Sequence, residues 1–283
     1  MKRVGLIGQG LKHSLSAVMQ QAALDHYALD ARYELWDTRP EEVEQRVASL
    51  RDEDCLGANV TVPHKQAVIP FLDELDSVAT GAEAVNTIIR REGRLSGHNT
   101  DVTGFARALS EAGLDVRGVR AAVLGAGGAA RAVALALVEG GAGVISLSDA
   151  VPERAEALAG DLKGHTSPGT AITWTRWDDD AFRRSLHECG LLVNCTPVGM
   201  RFGPADGQSP VAAELMAAGC LAFDLVYNPE ETPFLQAARS RGARTAGGLA
   251  MLVYQGAASF RLWTGREAPV EVMFKAARKA LAG

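Results

Sequence analysis

The sequence predicts an α/β protein of two domains, one of them a doubly wound, Rossmann-type dinucleotide-binding domain. The chain has 283 residues, and at about 100–200 residues per domain this length suggests two domains. Short apolar segments alternate with segments of helical periodicity, as in α/β proteins. A glycine fingerprint, Gly125-Ala126-Gly127-Gly128-Ala129-Ala130, lies between one apolar segment and the helical segment that follows it.

Composition and charge exclude several classes of protein. The chain has 29 Lys plus Arg against 34 Asp plus Glu, a formal net charge of −5, which excludes a basic nucleic-acid footprint and a polybasic membrane anchor. No apolar run approaches the roughly 18 residues that span a bilayer, and the N-terminus lacks a signal-peptide pattern. Cys55, Cys189, Cys195 and Cys220 form no C-x-x-C pair, which is typical of reduced thiols. We therefore expect a soluble, cytoplasmic protein.

The first hundred residues alternate strand and helix patterns. Apolar segments predict strands over 4–7, 33–37 and 57–62. Helical spacing predicts helices over 16–29, from Pro40 onward and over 65–75. Glu92-Gly93 is a plausible hairpin turn between strands 86–90 and 94–97. A connecting helix is predicted over 103–111.

A second alternating series follows this connecting helix. Predicted strands alternate with predicted helices, a pattern that implies parallel pairing and right-handed crossovers. The strands cover 121–124, 144–148, 172–177, 191–195 and 221–226, and the helices cover 129–139, 152–162, 180–188 and 232–241. Two further helices, over 249–263 and 269–281, end the chain, and residues 199–209 form the clearest long loop.

The glycine fingerprint has a physical basis for binding a dinucleotide. Its first glycine permits a tight turn, its second lets the backbone approach a pyrophosphate, and Ala130 lets the helix pack closely on the strand. The next strand ends at Asp149, 19 residues after Ala130, where a carboxylate accepts the adenosine ribose hydroxyls and repels a 2′-phosphate. The alternative is a structural glycine turn in another kind of α/β protein.

Three other polar motifs each have a plain structural alternative. Asn59, Thr61 and Lys65 follow a strand, with Asn59 and Thr61 on one side of it, but Lys65 alone could be a solvated lysine. In the segments 84–87 and 97–101, Thr100 or Asp101 could simply cap a helix. In the loop 8–16, Ser16 could be an N-cap.

Together these motifs show that the chain resembles the shikimate dehydrogenase family, including its quinate/shikimate members, over almost its full length. Eight segments match the family in order: H-S-L-S (13–16), N-V-T-V-P-H-K (59–65), A-V-N-T (84–87), G-H-N-T-D (97–101), G-A-G-G-A-A (125–130), N-C-T-P-V-G-M (194–200), D-L-V-Y-N-P (224–229) and G-L-A-M-L-V-Y-Q (248–255). The chain departs from the family pattern at Ala17, at Met19-Gln20-Gln21 and at Ala84.

The resemblance implies roles for individual residues. Lys65 and Asp101 would form the catalytic pair beside the oxidised hydroxyl, and Ser14 and Ser16 would hold the substrate carboxylate. The other implied substrate contacts are Thr61, Asn86, Asp101, Tyr227 and Gln255. The implied cofactor contacts are Gly125, Gly127, Gly128, Ala129, Asp149, Arg154, Cys195, Thr196, Pro197, Met200, Val226, Gly248 and Met251. No metal site is expected.

The cofactor expected from this resemblance is NAD in preference to NADP. Family members that use NADP commonly carry Asn-Arg-Thr after the second cofactor strand, where this chain has Ser148-Asp149-Ala150. NADP stays an alternative, because Pro152 predicts a helix start there and Arg154 in its first turn could reach the adenosine pocket.

The resemblance predicts a discontinuous first domain and a reversible hydride transfer. Residues 1–102 and 248–283 would bind substrate, and residues 103–247 would bind the dinucleotide, because Gln255 must reach the substrate although it follows the last cofactor strand. The expected reaction interconverts shikimate and 3-dehydroshikimate, with quinate as a second substrate. Alternatives are a dehydrogenase of an amino- or otherwise modified shikimate, a non-catalytic ligand-binding homologue and a methylenetetrahydrofolate-type dehydrogenase. We expect a monomer or homodimer with no nucleic-acid or membrane partner.

Overall fold

A computed structural model describes residues 1–165 and 169–282. The chain forms two compact units, one made of Met1–Gly104 together with Leu252–Gly283 and the other of Phe105–Met251. Within the described residues, every helix is too short or too polar to cross a membrane.

The regular elements occur in an order close to the predicted one. The elements of residues 1–111 are β1 (Lys2–Gly8), α1 (Ser16–His26), β2 (Ala31–Asp37), α2 (Val43–Ala48), β3 (Cys55–Val60), β4 (Glu74–Leu75), α3 (Ser77–Ala82), β5 (Thr87–Arg91), β6 (Arg94–His98) and α4 (Thr100–Glu111). The later elements are β7 (Arg120–Leu124), α5 (Gly128–Glu139), β8 (Val144–Ser148), α6 (Pro152–Leu162), β9 (Ala171–Trp174), α7 (Asp180–Glu188), β10 (Leu191–Asn194), β11 (Leu221–Asp224), α8 (Pro233–Ser240), β12 (Arg244–Ala246), α9 (Gly248–Thr264) and α10 (Val270–Leu281).

The sheet of the first unit is mixed, with strand order β2-β1-β3-β5-β6-β4. Strand β1 runs parallel to β2 and β3, whereas β5 runs antiparallel to β3 and β6. The predicted hairpin around Glu92-Gly93 is therefore confirmed as β5–β6. Because parallel strands end at the same sheet edge, the segments that follow β1 and β3 leave the sheet together.

The helix predicted over 65–75 is wrong. Residues 65–68 form turns, followed by a 3-10 turn at Ile69–Phe71 and by strand β4. Pro70 cannot donate a backbone hydrogen bond inside a helix, and the Lys65 carbonyl accepts from the Val85 N–H at 2.8 Å instead of from a helical turn. Lys65 therefore lies in a loop and not at the start of a helix.

Smaller differences have local causes. Ser16 is the first residue of α1 rather than its N-cap, and its N–H bonds to the Ser14 hydroxyl at 3.2 Å. The helix predicted from 103 begins at Thr100, and the strand predicted to reach 177 ends at Trp174. Strand β12 and helix α3 are too short for periodicity to reveal.

The sheet of the second unit is entirely parallel, with strand order β12-β11-β10-β7-β8-β9. Numbered from β7, this is the 3-2-1-4-5-6 order of a doubly wound dinucleotide-binding fold, read from the other edge. The order reverses between β7 and β10, and ligands bind at the carboxyl ends of the strands beside such a point. The predicted Rossmann-type fold is confirmed.

Each unit has its own apolar core. In the first unit, side chains of β1, β3 and β5 pack with those of α2, among them Ile7, Val60, Ile88 and Val47. In the second unit, side chains of β7 and β10 pack with those of α7 and α8, among them Leu124, Leu192, Phe182 and Phe234. These cores hold the strand ends from which the polar motifs emerge.

Strands β3 and β5 approach each other closely at Gly57. Its φ is +142°, a conformation that residues with a side chain rarely adopt. A Cβ atom there would lie 2.0 Å from the carbonyl oxygen of Ile88, which also accepts a 3.0 Å hydrogen bond from the Trp263 indole. This position therefore requires glycine.

We predict that Gly57→Ala lowers the free energy of unfolding by about 3 kcal/mol or more, as a clash in a core typically does. The matched control is Gly93→Ala, at a turn glycine with φ +80° and no atom within 4 Å of the added Cβ. In that control the free energy of unfolding should fall only by the cost of holding alanine in a left-handed backbone conformation, about 1–2 kcal/mol. Urea denaturation of both variants checks this, and equal losses would contradict the close approach.

Candidate functional site

A largely buried ion pair lies at the centre of the polar site in the first unit. Lys65 Nζ lies 2.5 Å from Asp101 Oδ2, and the two side chains are only 13% and 8% exposed. Asp101 Oδ1 accepts a 2.9 Å hydrogen bond from Asn86 Nδ2. Both carboxylate oxygens therefore have a partner, which burial of a charge requires.

The Asn86 side chain connects several predicted site residues. Its Nδ2 also lies 2.9 Å from Thr100 Oγ1 and 3.2 Å from Gln255 Oε1. Its Oδ1 accepts the Thr100 N–H at 2.7 Å, at the start of α4. One amide thus fixes the helix start that carries Asp101 and contacts the helix, α9, that carries Gln255.

The loop that carries Lys65 is held on both sides. The Thr61 N–H donates to the Ile7 carbonyl at 2.8 Å, and the Lys65 carbonyl accepts from Val85. Buried His64 places Nε2 2.7 Å from the Thr38 carbonyl. These contacts place Thr61 and Lys65 at the carboxyl ends of the parallel strands.

Ser14 and Ser16 follow β1 at this same sheet edge. Ser16 is buried, as is Tyr33; burial raises the pKa of the Tyr33 hydroxyl, and the Ser16 side chain lowers it in part. The Tyr33 hydroxyl donates to Asn59 Oδ1 at 2.8 Å, and Asn59 Nδ2 donates to Ser259 Oγ at 3.0 Å. A polar network therefore leads from Tyr33 through Asn59 to Ser259 of α9.

Three residues of this site have no role in the sequence prediction. Asn99 Oδ1 accepts the Asp101 N–H at 3.1 Å, while its Nδ2 donates to the Ala84 carbonyl. Ser259 lies one helical turn after Gln255 and contacts Thr87 at 2.8 Å. The sequence signal for Ser259 was a serine four positions after Gln255 in a mostly apolar helical segment, whereas nothing in the sequence marked Tyr33.

In the second unit, the glycine fingerprint follows β7 at the point where the strand order reverses. Gly125 has φ +100°, and Gly127 is the N-cap of α5 with open space at its Cβ position. The first hydrogen bond of the helix runs from the Arg131 N–H to the Gly127 carbonyl. The N–H groups of residues 128–130 therefore lie at the N-terminal end of the helix without a partner inside it. Such an end binds phosphate, and this geometry fits a dinucleotide.

Asp149 lies just beyond the end of β8 and contacts the fingerprint directly. Its Oδ2 accepts the Ala126 N–H and its Oδ1 accepts the Val151 N–H, both at 2.8 Å. The side chain is partly exposed. Arg154 lies exposed in the first turn of α6.

The loop after β10 packs against the fingerprint. The Cys195 N–H donates to the Leu124 carbonyl at 2.8 Å, and a Cβ on Gly125 would lie 3.2 Å from both Cys195 and Thr196. Pro197 and Met200 continue this loop as exposed residues. The Gly248 N–H donates to the Val226 carbonyl at 3.3 Å, while Tyr227 is half-buried and Met251 is buried.

A doubly wound parallel sheet with a glycine fingerprint at its reversal point defines the second unit as a Rossmann-type domain. Two family descriptions match the chain, "Shikimate dehydrogenase substrate binding domain" over residues 6–88 and "Shikimate 5′-dehydrogenase C-terminal domain" over residues 248–278.

Full-length relatives and solved structures agree with these matches. Shikimate dehydrogenase (NADP(+)) of Moorella thermoacetica is 46% identical over 278 residues, 98% of this chain and 93% of that protein. Other relatives, 38–44% identical, carry the same name. The chain therefore belongs to the shikimate dehydrogenase family.

Two solved structures extend the comparison to bound ligands. Shikimate 5-dehydrogenase of Thermus thermophilus, in complex with NADP(H) and shikimate, has a TM-score of 0.87 at 39% identity and covers 99% of this chain and 100% of its own. Quinate dehydrogenase of Corynebacterium glutamicum, in complex with NAD, has a TM-score of 0.87 at 32% identity. The match covers 97% of this chain and 98% of that one.

We predict that Asn86→Ala lowers the free energy of unfolding by about 2–4 kcal/mol, because the Thr100 amide and an Asp101 oxygen lose partners in a buried setting. Thermal and urea denaturation measure the loss. Gln66→Ala, on the exposed face of the Lys65 loop, is the control and should change stability by less than about 0.5 kcal/mol. Wild-type stability of the Asn86 variant would show that the amide does not hold this site together.

Proposed function

We propose that this protein is an NAD(P)-dependent dehydrogenase that interconverts shikimate and 3-dehydroshikimate. The observation that carries the proposal is the Lys65–Asp101 pair, held by Asn86 beside Gln255. The names of the full-length relatives support the substrate and the reaction class. In this proposal the first unit binds the substrate and the second binds the dinucleotide.

The Lys65–Asp101 pair is assigned to proton transfer. A bound nicotinamide dinucleotide would supply the hydride acceptor. As the substrate C–H hydride leaves, the hydroxyl proton passes to the pair, and in the reduction the pair returns it. Asn86 keeps Asp101 Oδ1 occupied, so Oδ2 faces Lys65 Nζ. The pair is thus oriented before substrate binds.

Ser14 and Ser16 are assigned to the substrate carboxylate. Both follow β1 at the sheet edge where Thr61 and Lys65 follow β3. Hydroxyl donors suit a carboxylate, and each such hydrogen bond to a charged group contributes about 1.5–3 kcal/mol. Asn86, Thr61 and Gln255 are assigned to the ring hydroxyls.

Initial rates on shikimate and on quinate, each with NAD and with NADP, test the proposal. We expect shikimate to be used. Quinate is a second candidate, supported by the likeness to a quinate dehydrogenase, although its additional hydroxyl needs room and a partner near the serines. No turnover with any of the four combinations would refute the proposed function.

We predict that Lys65→Ala and Asp101→Ala each lower kcat by about 10²–10⁴-fold, the usual contribution of general acid–base groups. Far-ultraviolet circular dichroism confirms folding, and steady-state kinetics measures the loss. Lys275→Ala, at an exposed lysine of α10, is the matched control and should keep wild-type kcat. A residue whose removal leaves kcat unchanged has no part in proton transfer.

We propose further that NAD is the preferred cofactor, because of Asp149. The relatives named above point to NADP(+), whereas a carboxylate at this position favours two free ribose hydroxyls. A 2′-phosphate carries close to two negative charges. At about 4 Å and an effective dielectric near 20, each unit-charge repulsion is about 4 kcal/mol before screening. Arg154 is the residue that would oppose this preference.

We predict that kcat/KM is higher with NAD than with NADP. Asp149→Asn should reduce the ratio of the two values, mainly by raising kcat/KM with NADP. Asparagine removes the charge and keeps an acceptor for one of the two amides, Ala126 or Val151. Glu156→Gln, at an exposed acid of α6, is the control and should leave the ratio unchanged. An equal or better kcat/KM with NADP in the wild type would overturn the assignment of Asp149 to cofactor choice.

A further inference from the structure

A buried carboxylate in the second unit lies outside every role assigned above. Asp224 is the last residue of β11 and is 0% exposed. Its Oδ1 accepts from Asn194 Nδ2 at 2.9 Å and from the Val226 N–H at 3.0 Å, and its Oδ2 accepts from Thr232 Oγ1 at 2.6 Å. All three donors are neutral groups.

The position of Asp224 is costly for stability. Burial raises the pKa of Asp224 to about 6, although the hydrogen bonds from Thr232, Val226 and Asn194 lower it. A carboxylate that is harder to ionise in the folded state than in water weakens the fold at neutral pH. A residue kept at this cost calls for a reason other than stability.

The hydrogen bonds around Asp224 all run in one direction. A carboxylate only accepts, so Asn194 must turn its NH2 toward Asp224 and its Oδ1 away. That Oδ1 accepts both the Thr196 N–H at 3.0 Å and the Thr196 hydroxyl at 2.6 Å. Asp224, the Val198 carbonyl and the Thr196 N–H therefore all favour the same orientation of the Asn194 amide.

Two segments are fixed by this arrangement. The cofactor loop, residues 195–200, is held through Thr196, and Asn194 Nδ2 also lies 3.3 Å from the Val198 carbonyl. The second segment, residues 225–232, is held at Val226 and Thr232. The Arg201 N–H donates to the Asn228 carbonyl at 2.7 Å, which joins the second segment to the residue just after the cofactor loop.

The cofactor loop in turn forms part of the fingerprint's surroundings, because Cys195 and Thr196 lie against Gly125. We propose that Asp224 is a positioning residue for the dinucleotide site: it holds the cofactor loop through Asn194 and the 225–232 segment through Val226 and Thr232. It touches neither cofactor nor substrate. This proposal rests on the proposed dinucleotide-dependent function.

The test is Asp224→Asn. Asparagine has nearly the same shape but accepts at one atom only, so it cannot accept from all three donors. With one hydrogen bond to a charged group lost, dinucleotide affinity should fall about tenfold. Isothermal titration calorimetry with NAD and with NADP measures the affinity, and kinetics should show a raised KM for the dinucleotide with kcat changed less than KM.

Hydrogen exchange of the ligand-free protein gives a readout independent of activity. The amides of residues 195–200 and 225–232 should exchange faster in Asp224→Asn, while β10 and β11 stay protected. If the chain bound no dinucleotide, the proposed function would fail, but exchange would still show whether Asp224 holds both segments. Asp206→Asn is the control, because exposed Asp206 accepts only the local Phe202 N–H among the described hydrogen bonds.

The pH dependence of the unfolding temperature distinguishes a positioning role of Asp224 from a role in stability alone. The raised pKa means that Asp224 contributes stability that is fully present below its ordinary value of 3.8 and is lost as pH rises through about 6. Relative to wild type, Asp224→Asn should therefore gain unfolding temperature between pH 4 and 7. The Cys195 thiol faces Asp224 and has its pKa raised by burial and by that charge, so it stays neutral there. Glu230 and Glu231 of the same segment are exposed.

Weaker binding without a matching loss of unfolding temperature at pH 7 would support the proposal. Wild-type affinity and exchange in Asp224→Asn would overturn it, and so would a loss of binding that simply follows general unfolding. Should Asp224→Asn fail to fold, Thr232→Val removes both the donor to Asp224 and the acceptor for the Leu235 N–H at the start of α8, and Thr232→Ser keeps both. Faster exchange over 225–232 in the valine variant alone would support the proposal, and equal exchange in both would overturn it.

Discussion

The hydrogen bond from Asn86 to Asp101 is the interaction on which the polar site of the first unit depends. A buried ion pair is stable only when its remaining lone pairs and protons are satisfied. Asn86 satisfies the second oxygen of Asp101 and at the same time accepts the first amide of α4. The same side chain therefore fixes the start of α4 and completes the hydrogen bonding of the ion pair. This explains why Asn86 sits before β5 rather than on a surface loop.

The two units use opposite chemistry for the same purpose. In the first, an amide with both donors and an acceptor connects a lysine–aspartate pair to neutral groups. In the second, the carboxylate of Asp224 accepts hydrogen bonds from three neutral donors and donates none. Both devices lie at strand ends, because the carboxyl ends of parallel strands bring separate loops to one edge. The strand order thus decides which sequence motifs become neighbours.

Much of this could be predicted from the sequence because it depends on local patterns. Strand and helix periodicity predicted the doubly wound sheet, and the fingerprint needs only a strand, a turn and a helix in sequence. The segment 65–75 shows the limit of periodicity, since helical spacing there competes with Pro70 and with the hydrogen bond from Val85. Tyr33 and Asp224 were not assigned, because their significance comes from partners that are distant in sequence and that only the fold brings together.

The cofactor question shows why overall similarity and a single side chain can point in different directions. Identity of 46% to an NADP(+)-named relative is an average over 278 residues. Discrimination between the two dinucleotides depends on the few side chains near the ribose, a role that the proposed function assigns to Asp149 and Arg154. Asp149 also holds the Ala126 and Val151 amides, so its carboxylate has a structural task whichever cofactor binds. Two effects of Asp149 must therefore be distinguished: its charge, which acts on cofactor choice, and its hydrogen bonds, which shape the fingerprint. Only a substitution that removes the charge and preserves the shape of the fingerprint distinguishes them.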